Sequence, residues 1–249
     1  MIVEPRVLRR GLQIAVDLVF ARYCMSCDNE IASDAGLCGS CWRQTPFIHG
    51  LVCDKCGTPL PGEDAGQPEY CDDCLTIARP WHRGRAALIY KDNARAMILA
   101  LKHGDRIDLA RQMAGWLAAA AGPLLTADTL IVPIPLHRTR LFLRRYNQAA
   151  ELSHRLARRT GTEVCPDFLL RSRQTGTQDG RDRDGRFANV SGAFAVHPGR
   201  RSAIAGRPIL LVDDVMTSGA TFAAAAEACH AAGAGRVSVL ALARVAKDA

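Results

Sequence analysis

The chain has 249 residues, 48% of them apolar, enough for one large domain or two smaller ones with a packed core. Its 32 Lys and Arg against 25 Asp and Glu leave a net charge of +7, which favours acidic partners such as phosphates, nucleotides or nucleic acid. No apolar run is long enough for a transmembrane helix, so no membrane span is expected.

Near the start, Leu8, Leu12, Ala15, Val16 and Val19 fall on one face of an amphipathic helix. A signal peptide is the alternative, because Arg6, Arg9 and Arg10 precede the apolar stretch. Asp17 interrupts that stretch, and no small-x-small cleavage site precedes the cysteines that follow. The helix is therefore preferred, and a cytoplasmic location is expected.

Eight of the ten cysteines lie in the first third, as four C-x-x-C pairs: Cys24 and Cys27, Cys38 and Cys41, Cys53 and Cys56, Cys71 and Cys74. Two intervening residues let both sulfurs of a pair reach one ion from a tight turn, and four sulfurs close a tetrahedral shell of the structural zinc type. Gly57, directly after a ligand, suits a knuckle whose backbone N–H groups turn toward sulfur. Pairing in sequence order gives two ribbons and two zinc ions. Spacing alone also allows a cross-braced pairing, first with third and second with fourth. An iron–sulfur cluster is a rival occupant, and a disulfide framework belongs to secreted chains, which nothing here marks. This segment is poor in long apolar runs, so metal must supply much of its folding energy, and the zinc is structural. Cys165 and Cys229 stand alone and receive no chemical role.

Pro80 and Gly84 punctuate "ARPWHRGRAALIYKD", which sets a boundary near residue 80: a metal module over 1–80 and a second domain over 81–249. From there the pattern alternates. Residues 86–90 read as a strand, 93–103 and 107–121 as helices, 129–135 as a buried strand and 145–161 as a helix with a glycine stop. Residues 209–214 read as a strand, 219–232 as a helix and 236–245 as a strand. Such alternation predicts an α/β fold, a parallel sheet flanked by helices. In such sheets ligands sit beyond the carboxyl ends of the strands.

Asp213 and Asp214 stand at one such end, followed by Thr217, Ser218, Gly219, Ala220 and Thr221 and then a helix. A helix N-terminus exposes unpaired N–H groups and a partial positive charge, so its natural guest is a phosphate. The threonines and the serine add hydroxyl donors, and Gly219 permits close backbone approach. Carboxylates beside a phosphate make sense if the same ligand carries vicinal hydroxyls. Neighbouring strand residues face opposite ways. One Asp is therefore expected to face a ribose, and the other to support a developing positive charge or a hydrated Mg²⁺. Phosphate plus diol means a ribose 5-phosphate. A Walker loop is ruled out because no Lys follows Gly219, and "AGAGR" (232–236) sits on the wrong side of its helix for a dinucleotide fingerprint. An acidic helix cap remains the plain alternative, but a cap needs one acid and no hydroxyl loop.

"ILLVDDVMTSGAT" resembles the phosphoribosyl-diphosphate (PRPP) signature of type I phosphoribosyltransferases. Across nearly the whole chain, the resemblance is to the ComF family of competence proteins, double zinc ribbons joined to a phosphoribosyltransferase domain. The paired cysteines, "VPIPLHRTRLFLRRYNQAAELS" and "RQTGTQDGRDRDGRFANVSGAF" all carry it. Arg145 stands where the family often has glycine, and Arg181 where an apolar residue is common. The resemblance implies a type I phosphoribosyltransferase-like sheet behind a zinc-ribbon module, with PRPP and Mg²⁺ as ligands. It implies Asp213 and Asp214 as catalytic residues and 217–221 as the phosphate loop. In the family fold the place of "LHRTRLFLRR" receives pyrophosphate, which makes His137, Arg138, Arg140, Arg144 and Arg145 candidates, with Lys102 a weaker one of the same kind. Guanidinium groups suit that leaving group because each can offer two donors. Residues 171–186 contain no apolar residue, and the family places a closing loop there, with Gln178, Arg186 and Asn189 matching its pattern. Closure would shield a reactive sugar cation from water.

The family is linked to natural transformation, which opens a reading from another class: a DNA-uptake factor. Its arginines, with Phe142 and Tyr146 interleaved, would then bind single-stranded DNA, and PRPP would act as a regulator. A third expectation is that the ribbons dock a protein partner such as an uptake helicase.

Overall fold

The structure, a computed structural model, describes residues 22–31, 36–103, 106–173 and 183–246. The amphipathic helix expected over 8–19 lies outside these, as do Gln178 and Arg181. The chain divides into two compact units, Met1–Thr45 and Pro46–Ala249. This division does not coincide with the boundary expected near residue 80, because the second group of four cysteines shares a unit with the sheet.

In the first unit a short antiparallel bridge, Tyr23 to Glu30, frames one cysteine pair, and helix α1 (Gly39–Gln44) carries the other. Cys38 caps α1, its sulfur accepting the N–H of Cys41 at 3.5 Å.

The second unit opens with the remaining cysteines and the short helix α2 (Asp72–Thr76). A five-stranded sheet follows: β1 (Gly84–Ile89), β2 (Leu130–Pro133), β3 (Glu163–Val164), β6 (Ile209–Met216) and β7 (Val237–Arg244). Its order is β1-β7-β6-β2-β3, and every neighbouring pair is parallel. β4 (Leu169–Arg171) and β5 (Phe194–Val196) form a separate antiparallel pair. Helices α3 (Asp92–His103), α4 (Ala110–Ala121), α5 (Arg138–Arg144), α6 (Gln148–Thr160), α7 (Arg183–Val190) and α8 (Ala220–Ala231) complete the unit. No helix among the described residues is long and apolar enough to cross a membrane.

Helices α4 and α6 pack together on one face of the sheet, α4 over β1 and β7 and α6 over β2 and β6, while α8 packs with β6, β7 and the small β4–β5 pair. The central strands are covered on both faces, which is why β7 reads as an almost unbroken apolar run. Alternate residues Ile209, Leu211, Val237 and Val239 join Phe222 and Phe168 in one core. In α8 the buried Ala223, Ala224, Ala225 and Ala226 keep the helix slim, so its backbone can lie close to the strands.

The chain leaves β2 toward β3 and leaves β6 toward β7, in opposite directions across the sheet. The crevice between the carboxyl ends of β2 and β6 is therefore the topological switch point, where open parallel sheets take their ligands.

The fourth predicted helix starts later than expected. It begins at Gln148, and Asn147 is its cap, with Oδ1 accepting from Ala149 N at 3.0 Å and Nδ2 donating to the Ile134 carbonyl at 3.0 Å. Arg145 belongs to the end of α5 and takes a left-handed conformation, φ 65°. A glycine, the residue the resemblance leads one to expect at this place, would hold that conformation without strain.

Candidate functional site

β6 carries its apolar residues between β2 and β7 and delivers Asp213 and Asp214 to the switch point. The Asp213 carboxylate accepts the N–H of Asp214 at 2.8 Å, and Asp214 pairs with Lys102, from the last turn of α3, at 3.0 Å. Burial, reinforced by the Asp214 charge, pushes the Asp213 carboxyl up to about 7. Burial works against the charge on Lys102, but the Asp214 carboxylate outweighs it, and the ammonium is held above its usual range. The strand end thus holds one paired carboxylate and one that is costly to ionise until a cation or a donor arrives.

After Met216 the chain turns through Gly219, at φ 84°, into the N-terminus of α8. A Cβ on Gly219 would lie 3.0 Å from both Arg79 Nη1 and the Trp81 ring, so glycine is required here for conformation and for space. The loop and strand end form the floor of a cavity of about 610 Å³. Thr217, Gly219, Ala220 and Thr221 line it beside Asp213 and Asp214. Ser218 does not; its carbonyl faces Arg79 instead.

Lys102, Arg140, Arg144 and Arg186 also line the cavity. Arg144 also reaches Gln148 Oε1 at 3.5 Å. His137, Arg138 and Arg145, grouped with these arginines by sequence, are not among the lining residues: the His137 ring caps α5, accepting from Thr139 N at 3.3 Å, and Arg138 and Arg145 are exposed. Asn189 is not among them either, and its carbonyl accepts from Arg173 at 3.0 Å. Sequence reasoning missed Tyr90, His103 and Arg171, which do line the cavity. Arg171 sits on β4 with its guanidinium over the Phe194 ring, 5.3 Å from the centroid. Burial, with Arg140 adding, pulls its pKa down. The available signal was its place at the start of the apolar-free stretch 171–186. The whole arrangement sets two carboxylates and a helix N-terminus against a wall of cations, a charge pattern for a ligand carrying both hydroxyls and anionic groups.

The eight paired cysteines gather as Cys24, Cys27, Cys38 and Cys41, and as Cys53, Cys56, Cys71 and Cys74, the ligating atoms of each set lying within 4.8 Å of one another. The open question of pairing is settled in sequence order, and the cross-braced alternative falls. Cys27 and Cys38 sulfurs are 3.8 Å apart, and those of Cys56 and Cys71 are 3.6 Å apart. Sulfurs about 2.3 Å from a tetrahedral ion lie about 3.8 Å from each other, so both sets fit one structural zinc each. All eight are free cysteines. The Ser40 hydroxyl and then the Cys41 N–H draw the Cys38 thiol down to about 6, toward the thiolate that ligates metal.

Fold and site together define a class: a double zinc ribbon joined to a five-stranded parallel sheet flanked by helices. The family model for the double zinc ribbon domain matches residues 15–75. DNA utilization protein YhgH of Escherichia coli (strain K12) is 30% identical over 214 residues, covering 84% of this chain and 90% of that protein. Competence protein F of Haemophilus influenzae is 26% identical over 227 residues, covering 89% and 96%. The chain belongs to this family of competence protein F and DNA utilization protein YhgH. Among solved structures, adenine phosphoribosyltransferase from Trypanosoma brucei is similar at 17% identity and a TM-score of 0.34, over 55% of this chain and 53% of that one.

Proposed function

We propose that this protein binds PRPP with Mg²⁺ at the switch-point cavity and acts there as a phosphoribosyltransferase, in the handling of DNA taken up by the cell. The observation that carries this reading is the joining, in one cavity, of Asp213, Asp214 and the Gly219 turn with Lys102, Arg140, Arg144 and Arg186. Loop 217–221 would hold the 5-phosphate by its amides and hydroxyls. Asp213 and Asp214 would accept the ribose hydroxyls and hold hydrated Mg²⁺. Arg140, Arg144 and Arg186 would receive the pyrophosphate. In the transfer, the bond from C1 to the pyrophosphate oxygen breaks, the electron pair leaves with pyrophosphate, and the acceptor's nucleophilic atom bonds to C1. The protein stabilises charge and aligns the partners, with no covalent step of its own. In this reading the zinc ions are structural only.

Calorimetric titration with PRPP and Mg²⁺ tests it. Wild type should bind, and Asp213→Asn/Asp214→Asn should lose at least tenfold in affinity. Binding that survives the double change removes the site.

A second reading rests on the exposed side chains of α5, a helix that also gives Arg140, Leu143 and Arg144 to the cavity. Phe142 and Leu143, on the same short helix as Arg138 and Arg140, are 86% and 79% exposed. Exposed aromatic and basic side chains together suit the bases and backbone of single-stranded DNA. On this reading Arg144→Ala and Phe142→Ala weaken salt-dependent binding to single strands while Asp213→Asn does not. Under the PRPP reading, protein given PRPP and its acceptor releases pyrophosphate.

A further inference from the structure

Two arginines connect the second four-cysteine site to the backbone of the loop after β6. Arg79 follows the last cysteine of that site by five residues. Its Nη1 donates to the Ser218 carbonyl at 2.7 Å. It also packs over Trp81, 5.4 Å from the ring centroid. Trp81 is itself locked to the cysteine knuckle: its Nε1 donates to the Lys55 carbonyl at 2.6 Å, and Lys55 Nζ donates back to the Trp81 carbonyl at 3.0 Å.

The other arginine, Arg244, ends β7 and is 4% exposed. Its Nε donates to the Thr58 hydroxyl, which lies 3.3 Å from Cys56 Sγ, and its Nη1 reaches the Thr217 carbonyl at 3.4 Å. Residues 55–58 are pressed onto β1 without room for side chains: a Cβ on Gly84 would lie 2.3 Å from the Lys55 carbonyl, and one on Gly57 2.7 Å from Ala86 N. The knuckle and the loop are thus tied at both ends of each relay.

The consequence follows from peptide geometry. In a trans peptide the carbonyl and the next N–H point opposite ways. Holding the carbonyls of Thr217 and Ser218 from behind therefore fixes the direction of the N–H groups of Ser218 and Gly219. We propose that the metal-loaded second cysteine site presets this loop for a phosphoryl ligand, with Arg79, Arg244 and Thr58 as positioning residues. A four-thiolate zinc centre carries net negative charge, which draws both guanidiniums to the knuckle. Loss of metal, or oxidation of these thiols, then lowers ligand affinity without touching any residue that meets the ligand. This deepens the PRPP reading above and rests on it.

The test uses the full-length, zinc-loaded chain and the variants Thr58→Val and Arg79→Met, which keep all eight thiols. PRPP with Mg²⁺ should bind each variant about tenfold more weakly than wild type, the loss of roughly one charge-assisted hydrogen bond. A ligand-free readout separates this inference from the PRPP reading. In ¹⁵N–¹H spectra, the Ser218 and Gly219 resonances should shift or broaden in both variants, while those of Leu210 and Leu211 stay in place. Chelation of the second-site zinc should do the same to the loop; if it unfolds the unit, the two variants decide. Should wild type fail to bind PRPP, the PRPP reading falls and the spectra still judge the relay. Loop resonances unmoved in both variants overturn the inference.

Discussion

The two walls of the cavity are built differently. The loop wall, residues 213–221, is backed by the sheet, and the carbonyls of Thr217 and Ser218 are gripped by arginines 27 and 139 residues away in sequence. The opposite wall includes α5, seven residues with none buried, carrying exposed Leu141, Phe142 and Leu143 and ending in a left-handed Arg145. One wall is set before a ligand arrives; the other offers side chains to solvent and gains its partners from whatever enters. Preset donors lose little conformational entropy on binding, whereas long exposed side chains must be ordered. Affinity should therefore reside mainly in the loop wall, and discrimination among larger partners in α5.

The sharpest way to break this contrast is to alter each wall in turn. Asp213→Asn/Asp214→Asn is expected to cost PRPP affinity about a hundredfold, and Arg144→Ala about tenfold, in paired titrations. Equal losses would erase the distinction. Next in size, Asp54→Ala should destabilise the second unit by about 3 kcal/mol in denaturant unfolding, because it strips a buried carboxylate from Arg83 and Arg85, each at 2.7–2.8 Å. Burial opposes ionisation of Asp54, but the two arginines prevail and hold its carboxyl low. A depressed carboxyl gives stability that is present above the unfolded-state pKa and lost as pH falls through the folded one. The difference between wild type and Asp54→Ala should accordingly shrink in acid.

Asp213 runs the other way. With its carboxyl raised to about 7, the folded state holds a proton that the unfolded state has already released. Its contribution to stability falls as pH rises from the ordinary carboxylate range to about 7. Ligand affinity should rise over the approach to that pH as the anion forms, and Asp213→Asn should flatten the affinity profile. The smallest effects belong to α5. Phe142→Ala should leave unfolding within about 0.5 kcal/mol of wild type. Arg145→Gly should be neutral to stabilising by about 1 kcal/mol, since relief of the left-handed strain is partly offset by the freedom glycine has when unfolded.

Much of the loop wall was legible in the sequence, because apolar strand, paired acids and a glycine-hinged turn are local features. The strands at 84–89, 130–133, 209–216 and 237–244 announce themselves as apolar runs. β3, β4 and β5, with two or three residues each, are too short to show a period. The cysteine spacing identified the metal sets but left their pairing open, since pairing is a matter of which turns meet. Arg79 and Arg244 were invisible for the same reason: each acts on a residue far along the chain, and nothing local marks it. Of the basic residues at 137–145, Arg140 and Arg144 line the cavity, because a run of basic residues on a short helix points in several directions.

The strand order has a bearing on biosynthesis. Among the strands of the sheet, β1, the first to leave the ribosome, pairs with β7, the last, while residues 46–48 bond its other edge. Until β7 has been translated, β1 has no neighbour in the sheet, and the ribbon knuckle resting on it lacks the arginine that joins it to the loop. The cavity should therefore close as a late, single event in the life of the nascent chain, leaving the β7-facing edge of β1 for chaperones to shield in the meantime.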